Sequence, residues 1–67
     1  MERGTVVLDK LSQKEYIVLA KLVDSQYLLV ENTEDGEYYI DELCDTKECV
    51  MEDIQLILRY SHQIEEI

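Results

Sequence analysis

The stretch from Lys14 to Val23 is apolar on both faces of an extended strand, and this feature constrains the fold most. One face carries Tyr16, Val18, Ala20 and Leu22, and the other carries Ile17, Leu19, Lys21 and Val23. A strand with one face in water alternates apolar and polar residues instead. We assign the first face to the core. The second face, with Ile17, Leu19 and Val23, must then be covered by the C-terminal segment, by a second copy or by a partner.

The first two thirds of the chain predict four strands joined by tight turns. These strands are Thr5 to Leu11, Lys14 to Val23, Gln26 to Asn32 and Glu37 to Leu43. Asp24-Ser25 reads as a short polar hairpin connection. The clearest turn is Thr33 to Gly36, because Gly36 can take a positive φ without steric cost. A four-stranded meander is therefore predicted.

The C-terminal third fits two interpretations. In the first, apolar residues at near-helical spacing form a helix; they are Val50, Ile54, Ile57, Leu58 and Ile64. In the second, alternating residues form a strand; they are Ile54, Leu56, Leu58 and Tyr60. Glu52-Asp53 would then be a tight turn into a fifth strand that closes a small barrel. We favour the strand, followed by a frayed or short helical tail from Ser61 to Ile67.

The predicted fold class is therefore mainly β, a five-stranded small barrel or meander forming a single domain over residues 1–67. The alternative is α+β, an antiparallel meander with a C-terminal helix. The order of segments resembles small SH3-like β-barrel proteins, of the kind found among small orphan phage and mobile-element proteins. It runs through Gly4-Thr5-Val6-Val7, Tyr16-Ile17-Val18-Leu19, Tyr27-Leu28-Leu29-Val30, Gly36-Glu37-Tyr38-Tyr39 and Val50-Met51-Glu52-Asp53-Ile54. The resemblance implies a binding role, since this fold hosts many functions. The chain departs from SH3 peptide grooves in having no Trp or Phe.

Negative charge is concentrated in one third of the chain. The net charge is −10, yet residues 1–30 are neutral, whereas residues 31–53 carry ten acids against Lys47 alone. Such a field repels phosphate backbones and anionic lipid and attracts basic protein surfaces. We therefore expect no direct binding of nucleic acid or membrane.

The residues that could carry chemistry do not form a reactive site. Cys44 and Cys49 are separated by four residues, and a further twelve residues separate Cys49 from His62, which is not the spacing of a structural zinc site. The carboxylate pairs are adjacent, so on strands they would point to opposite faces. We expect no enzyme activity, no catalytic residue, no metal and no cofactor. Without a signal peptide or an apolar span, we expect a cytoplasmic protein with reduced cysteines.

The function predicted from these features is an acidic protein-interaction module, an inhibitor or adaptor that docks on a basic surface of a partner protein; such surfaces include the nucleic-acid groove of an enzyme, where the chain would act as a mimic. Tyr38 and Tyr39 are neighbours on one predicted strand, so one of them faces solvent, where tyrosine suits an interface. The predicted contact residues are Glu34, Asp35, Glu37, Tyr38, Tyr39, Asp41 and Glu42. The alternative is a structural homo-oligomeric subunit that associates through the apolar sheet face carrying Ile17, Leu19 and Val23.

Overall fold

A computed structural model describes residues 1–41 and 56–67 of the chain. These residues form five strands and one helix: β1 (Val6–Asp9), β2 (Lys14–Lys21), β3 (Gln26–Glu31), α1 (Glu34–Asp41), β4 (Leu56–Tyr60) and β5 (Ile64–Glu66). A tight turn, Val23–Ser25, precedes β3, and a 3₁₀ turn, Ser61–Gln63, precedes β5.

The five strands form one antiparallel sheet with the order β4-β3-β2-β1-β5. The prediction of a mainly β fold with a five-stranded antiparallel meander is confirmed. The sheet is not a closed barrel, because no ladder joins its edge strands β4 and β5 within the described residues.

The sheet is strongly curled. In a flat sheet β1 and β4 would lie about 14 Å apart, since neighbouring strands are separated by roughly 4.8 Å. Yet the Nε of Arg59 on β4 lies 2.9 Å from the Oδ1 of Asp9 on β1. The 3₁₀ turn Ser61–Gln63 also leads directly from one edge strand to the other. The concave side of the sheet therefore encloses the core.

The core lies on this concave side, which we call the core face. It is built by Val7, Tyr16, Val18, Tyr27, Leu29 and Ile64, with Ile57 packed against them. Cross-strand register brings these side chains together, because Val7 is opposite Tyr16, and Val18 is opposite Leu29. The assignment of Tyr16 and Val18 to the core is confirmed.

The opposite side of the sheet, which we call the helix face, is also partly covered. Ile17, Leu19 and Val30 are buried there. The helix α1 packs on β2, and a Cβ placed on Gly36 would lie 3.5 Å from Cγ2 of Val30. Burial of β2 on both faces, inferred from its sequence, is thus achieved within one chain.

The predicted turn Thr33 to Gly36 is wrong, and so is the predicted strand Glu37 to Leu43 as far as Asp41, because Glu34–Asp41 is a helix; Glu42 and Leu43 lie outside the described residues. The Oγ1 of Thr33 accepts a hydrogen bond from the Gly36 N–H, which satisfies a free donor of the first helical turn. Acidic residues follow in that turn, where they interact favourably with the helix dipole. The local sequence therefore contains the signals of a helix start, but Gly36 led to the prediction of a turn.

The C-terminal strand is confirmed for Leu56–Tyr60, and the alternative C-terminal helix is wrong for the described residues from Leu56 onward. The predicted frayed tail is also wrong. After the 3₁₀ turn, Ile64–Glu66 pairs with β1 and buries Ile64 in the core. The predicted turn at Glu52-Asp53 lies outside the described residues.

The connection between β2 and β3 is the expected short hairpin. Asp24 and Ser25 both have positive φ, at 58° and 61°. Successive left-handed residues give a turn whose twist matches that of the flanking strands.

We expect Gly36→Ala to lower the free energy of unfolding by about 1–3 kcal/mol, as overpacking of a tight contact does. Its Cβ would collide with the carbonyl oxygen of Glu31, so α1 would have to move away from β3. Alanine is otherwise the better helix former. A loss of stability in Gly36→Ala would therefore show that α1 lies too close to β3 for a side chain at this position. Urea denaturation followed by circular dichroism measures it. Glu37→Ala, at an exposed position of the same helical turn, is the control and should lower stability by no more than about 1 kcal/mol; equal stability of both variants would contradict the contact.

Candidate functional site

The candidate site is the exposed first turn of α1. Glu34, Asp35 and Glu37 all lie in this turn, and all three are exposed. Thr33 fixes the start of the helix through its side chain and through its carbonyl oxygen, which accepts from the Glu37 N–H at 2.9 Å. The helix thus brings together three predicted contact residues that a hairpin would have spread along a loop and a strand.

These carboxylates are held against the body of the protein by two contacts of α1. At the start of the helix, Gly36 is buried against the end of β3. Towards its end, Arg3 donates from Nη2 to the carbonyl oxygen of Ile40 and from Nη1 to that of Leu19. The second contact places a cation near the C-terminal end of the helix, where it is favourable. The acidic turn is therefore part of a packed element.

Among the described residues, no cation forms an ion pair with the carboxylates of this turn. Within residues 1–41 and 56–67, the one ion pair joins Arg59 to Asp9, far along the sequence from the helix start. Three exposed carboxylates without a paired cation in that part of the chain present a concentrated negative field to solvent.

The structure says less about the four remaining predicted contact residues. Tyr38, Tyr39 and Asp41 belong to α1, and Glu42 lies outside the described residues. The argument that one tyrosine must face solvent assumed a strand and is wrong for a helix. Neighbouring helical residues are about 100° apart around the axis, and do not lie on opposite faces.

The predicted self-association residues do not share one open surface. Ile17 and Leu19 are buried on the helix face within the same chain, whereas Val23 is 77% exposed in the turn between β2 and β3. The physical reason is that α1 covers this part of β2, which was not among the coverings considered from the sequence.

A buried ion pair, which the sequence did not reveal, links β1 to β4. Asp9 is completely buried and accepts from Nε and Nη2 of Arg59, from Oγ of Ser12, and from the backbone N–H groups of Leu11 and Ser12. Burial by itself raises the pKa of Asp9. The hydrogen bonds from Arg59, Ser12 and Leu11, with the charge of Arg59, outweigh it and hold this pKa below its ordinary value. The sequence offered one signal of this ion pair: Asp9 falls on the core face of the first strand, where a charged side chain needs a partner.

Comparison with known proteins gives no further assignment: no family profile matches the chain, and no curated protein or solved structure is similar to it.

Two searches of the described residues were also negative. No helix in that part of the chain has the length and apolar character needed to cross a bilayer. Over the same residues, no three His, Cys, Asp or Glu side chains converge as metal ligands would. Cys44 and Cys49 lie outside the described residues.

Proposed function

We propose that this chain is an acidic protein-interaction module that binds a basic surface of a partner protein as an inhibitor or adaptor. The observation that carries the proposal is the exposed turn of Glu34, Asp35 and Glu37 on a helix packed against the sheet. The proposed contact surface also includes Tyr38, Tyr39, Asp41 and Glu42.

The distribution of charge supports a protein partner. A basic groove that normally holds nucleic acid is a surface to which such a field is complementary. The carboxylates would raise the rate of association, while side-chain packing by tyrosines would supply lasting affinity.

Packing of α1 on the sheet supports the same proposal. A contact surface that is ordered before binding loses less conformational entropy on association. Thr33 and Arg3 fix the helix near its two ends, and Gly36 lets it approach β3 closely. The acidic turn is therefore presented on a scaffold.

We expect the combined substitutions Glu34→Gln, Asp35→Asn and Glu37→Gln to slow association with the partner by about tenfold or more, since such steering changes rates by 10–10³. The partner is first captured from a lysate of the source cells at low salt and purified. Association rates are then measured by stopped flow from about 50 mM salt, where the Debye length exceeds roughly 10 Å, upwards. The salt dependence should flatten in the triple variant.

The matched control removes three exposed carboxylates elsewhere, with Glu15→Gln, Glu65→Gln and Glu66→Gln. It changes the net charge equally, so it should slow association much less if the α1 surface is the contact. Because each acid in the first helical turn contributes roughly 0.3–1 kcal/mol, the stability of the triple variant must be measured in parallel. An association rate that both triple variants change equally would show that only the net charge matters and would remove the proposed surface.

A further inference from the structure

An apolar strip remains open on the helix face beside α1. It consists of Leu28 on β3 and of Leu56, Leu58 and Tyr60 on β4. Leu58 is 49% exposed and lies directly opposite Leu28 in the β3–β4 register, and Leu56 and Tyr60 are similarly exposed. The intervening residues Ile57 and Arg59 turn to the core face, where Ile57 packs on the core and Arg59 pairs with Asp9. The strip is therefore free of charged side chains.

The outer edge of β4 is partly closed to strand addition. The N–H of Tyr60 donates to Oε1 of Gln63 at 2.8 Å, and the carbonyl oxygen of Leu58 accepts from Nη1 of Arg59 at 2.9 Å. A partner strand would need these same backbone groups for its ladder. A partner would therefore bind through the side chains of the strip, and not by adding a strand to β4.

Opposite charges stand at the two ends of the strip. At the Leu56 end is the acidic first turn of α1, because Gly36 lies against Val30, which is the cross-strand partner of Leu56. At the Tyr60 end, the ring of His62 stacks on Tyr60, and Lys10 donates from Nζ to the carbonyl oxygen of His62. A cation therefore lies at the end away from the acids of α1, together with exposed Asp24 in the turn before Gln26, the cross-strand partner of Tyr60.

The geometry points to a second copy of this chain as the occupant of the strip. A two-fold axis near Leu58 would pack the strip against itself with the two β4 strands antiparallel. Leu56 of one copy would then meet Tyr60 of the other, and the acidic turn of each copy would face Lys10 of its partner. Such a contact is isologous, since the same patch serves on both sides.

The expected dimer is weak. A stable interface buries about 800 Å² on each partner, and three half-exposed side chains with the more buried Leu28 provide only part of that. The high net negative charge of both copies also opposes association. We therefore expect a dissociation constant between about 10 µM and 1 mM.

Sedimentation equilibrium of the full chain tests this inference over about 5 µM to 2 mM, a range that brackets the expected constant. The average mass should rise from one chain towards two. Leu58→Glu should weaken the dimer by about 100-fold, and Leu58→Thr, which introduces a β-branched residue that suits a strand, by about tenfold. The control is Ile67→Glu, an exposed apolar position after the opposite edge strand, which should leave the dimer constant within about twofold.

Circular dichroism establishes that each variant is folded, and if Leu58→Glu is not, Leu58→Thr decides the outcome. A wild-type mass of one chain throughout, a dimer unaffected by a folded Leu58 variant, or loss of the dimer in Ile67→Glu would each overturn the inference. The proposed function is tested separately, because the acidic surface of α1 is measured there by its rate of association with a different molecule.

Discussion

Arg59→Leu is expected to lower the free energy of unfolding at pH 7 by about 3–5 kcal/mol, the usual loss when one partner of a buried ion pair is removed. The carboxylate of Asp9 is fully buried and would keep only its bonds to the turn that follows β1. The pair also joins β1 to β4 across the curled sheet, so its loss would remove a contact that holds the curl, although β4 would stay paired with β3. A loss of this size is a large part of the stability of a small domain. Urea denaturation followed by circular dichroism measures it.

The double variant Asp9→Asn with Arg59→Leu provides the control. Asparagine can still accept hydrogen bonds from Leu11 and Ser12 but leaves no buried charge, so stability should return in part. The coupling energy from the double-mutant cycle isolates the pair. A surface ion pair contributes less than about 1 kcal/mol. If Arg59→Leu lowered the free energy of unfolding by no more than that, the pair would not hold β1 and β4 together.

The same pair predicts a specific dependence on pH. Because the pKa of Asp9 is lowered on folding, its contribution to stability is present above its ordinary pKa of about 4 and is lost as the pH falls through the lower folded value. Many other acids titrate in this range, so the difference between the wild type and Asp9→Asn is the informative quantity. That difference should shrink as the pH falls below about 4. A difference that is constant with pH would contradict the lowered pKa.

Most strands could be predicted because their signals are local. The apolar run of β2, the polar hairpin at Asp24-Ser25 and the alternation in Leu56–Tyr60 each follow from short stretches of sequence. The strand β5 was missed because three residues carry too little pattern. It forms because Ile64 fills the core beside Asp9 and because the curled sheet brings the chain back to β1.

The helix was missed because a tertiary contact determines the role of its glycine. Gly36 suggested a turn with positive φ, whereas it is helical and buried where any side chain would collide with β3. The capping residue Thr33 and the acids after it were a helix-start signal in the sequence. The candidate site was therefore predicted by charge at Glu34, Asp35 and Glu37, while its backbone was not. The ion pair of Asp9 with Arg59 depends on curling of the sheet, which no local pattern reports.

The second large loss of stability is expected for Leu19→Glu, because the face of β2 that carries Leu19 is covered. Leu19 is 7% exposed and lies at a register shift of the sheet, between Val18 and Ala20. Burial of an unpaired carboxylate costs several kcal/mol or forces the group to protonate. We expect a loss of more than about 3 kcal/mol, which would leave much of the chain unfolded at 25 °C. Near-ultraviolet circular dichroism and urea denaturation report it.

Two further substitutions make this result specific to the helix face. Val23→Glu places the same charge on the 77% exposed residue of the predicted self-association set and should change stability by no more than about 0.5 kcal/mol. Leu19→Lys should destabilise at least as strongly as Leu19→Glu, because the guanidinium of Arg3, which donates to the Leu19 carbonyl oxygen, could pair with an introduced glutamate and not with a lysine. If Leu19→Glu and Leu19→Lys both fold with wild-type stability, α1 does not cover this face. The face of Ile17 and Leu19 would then be free for a second copy or a partner.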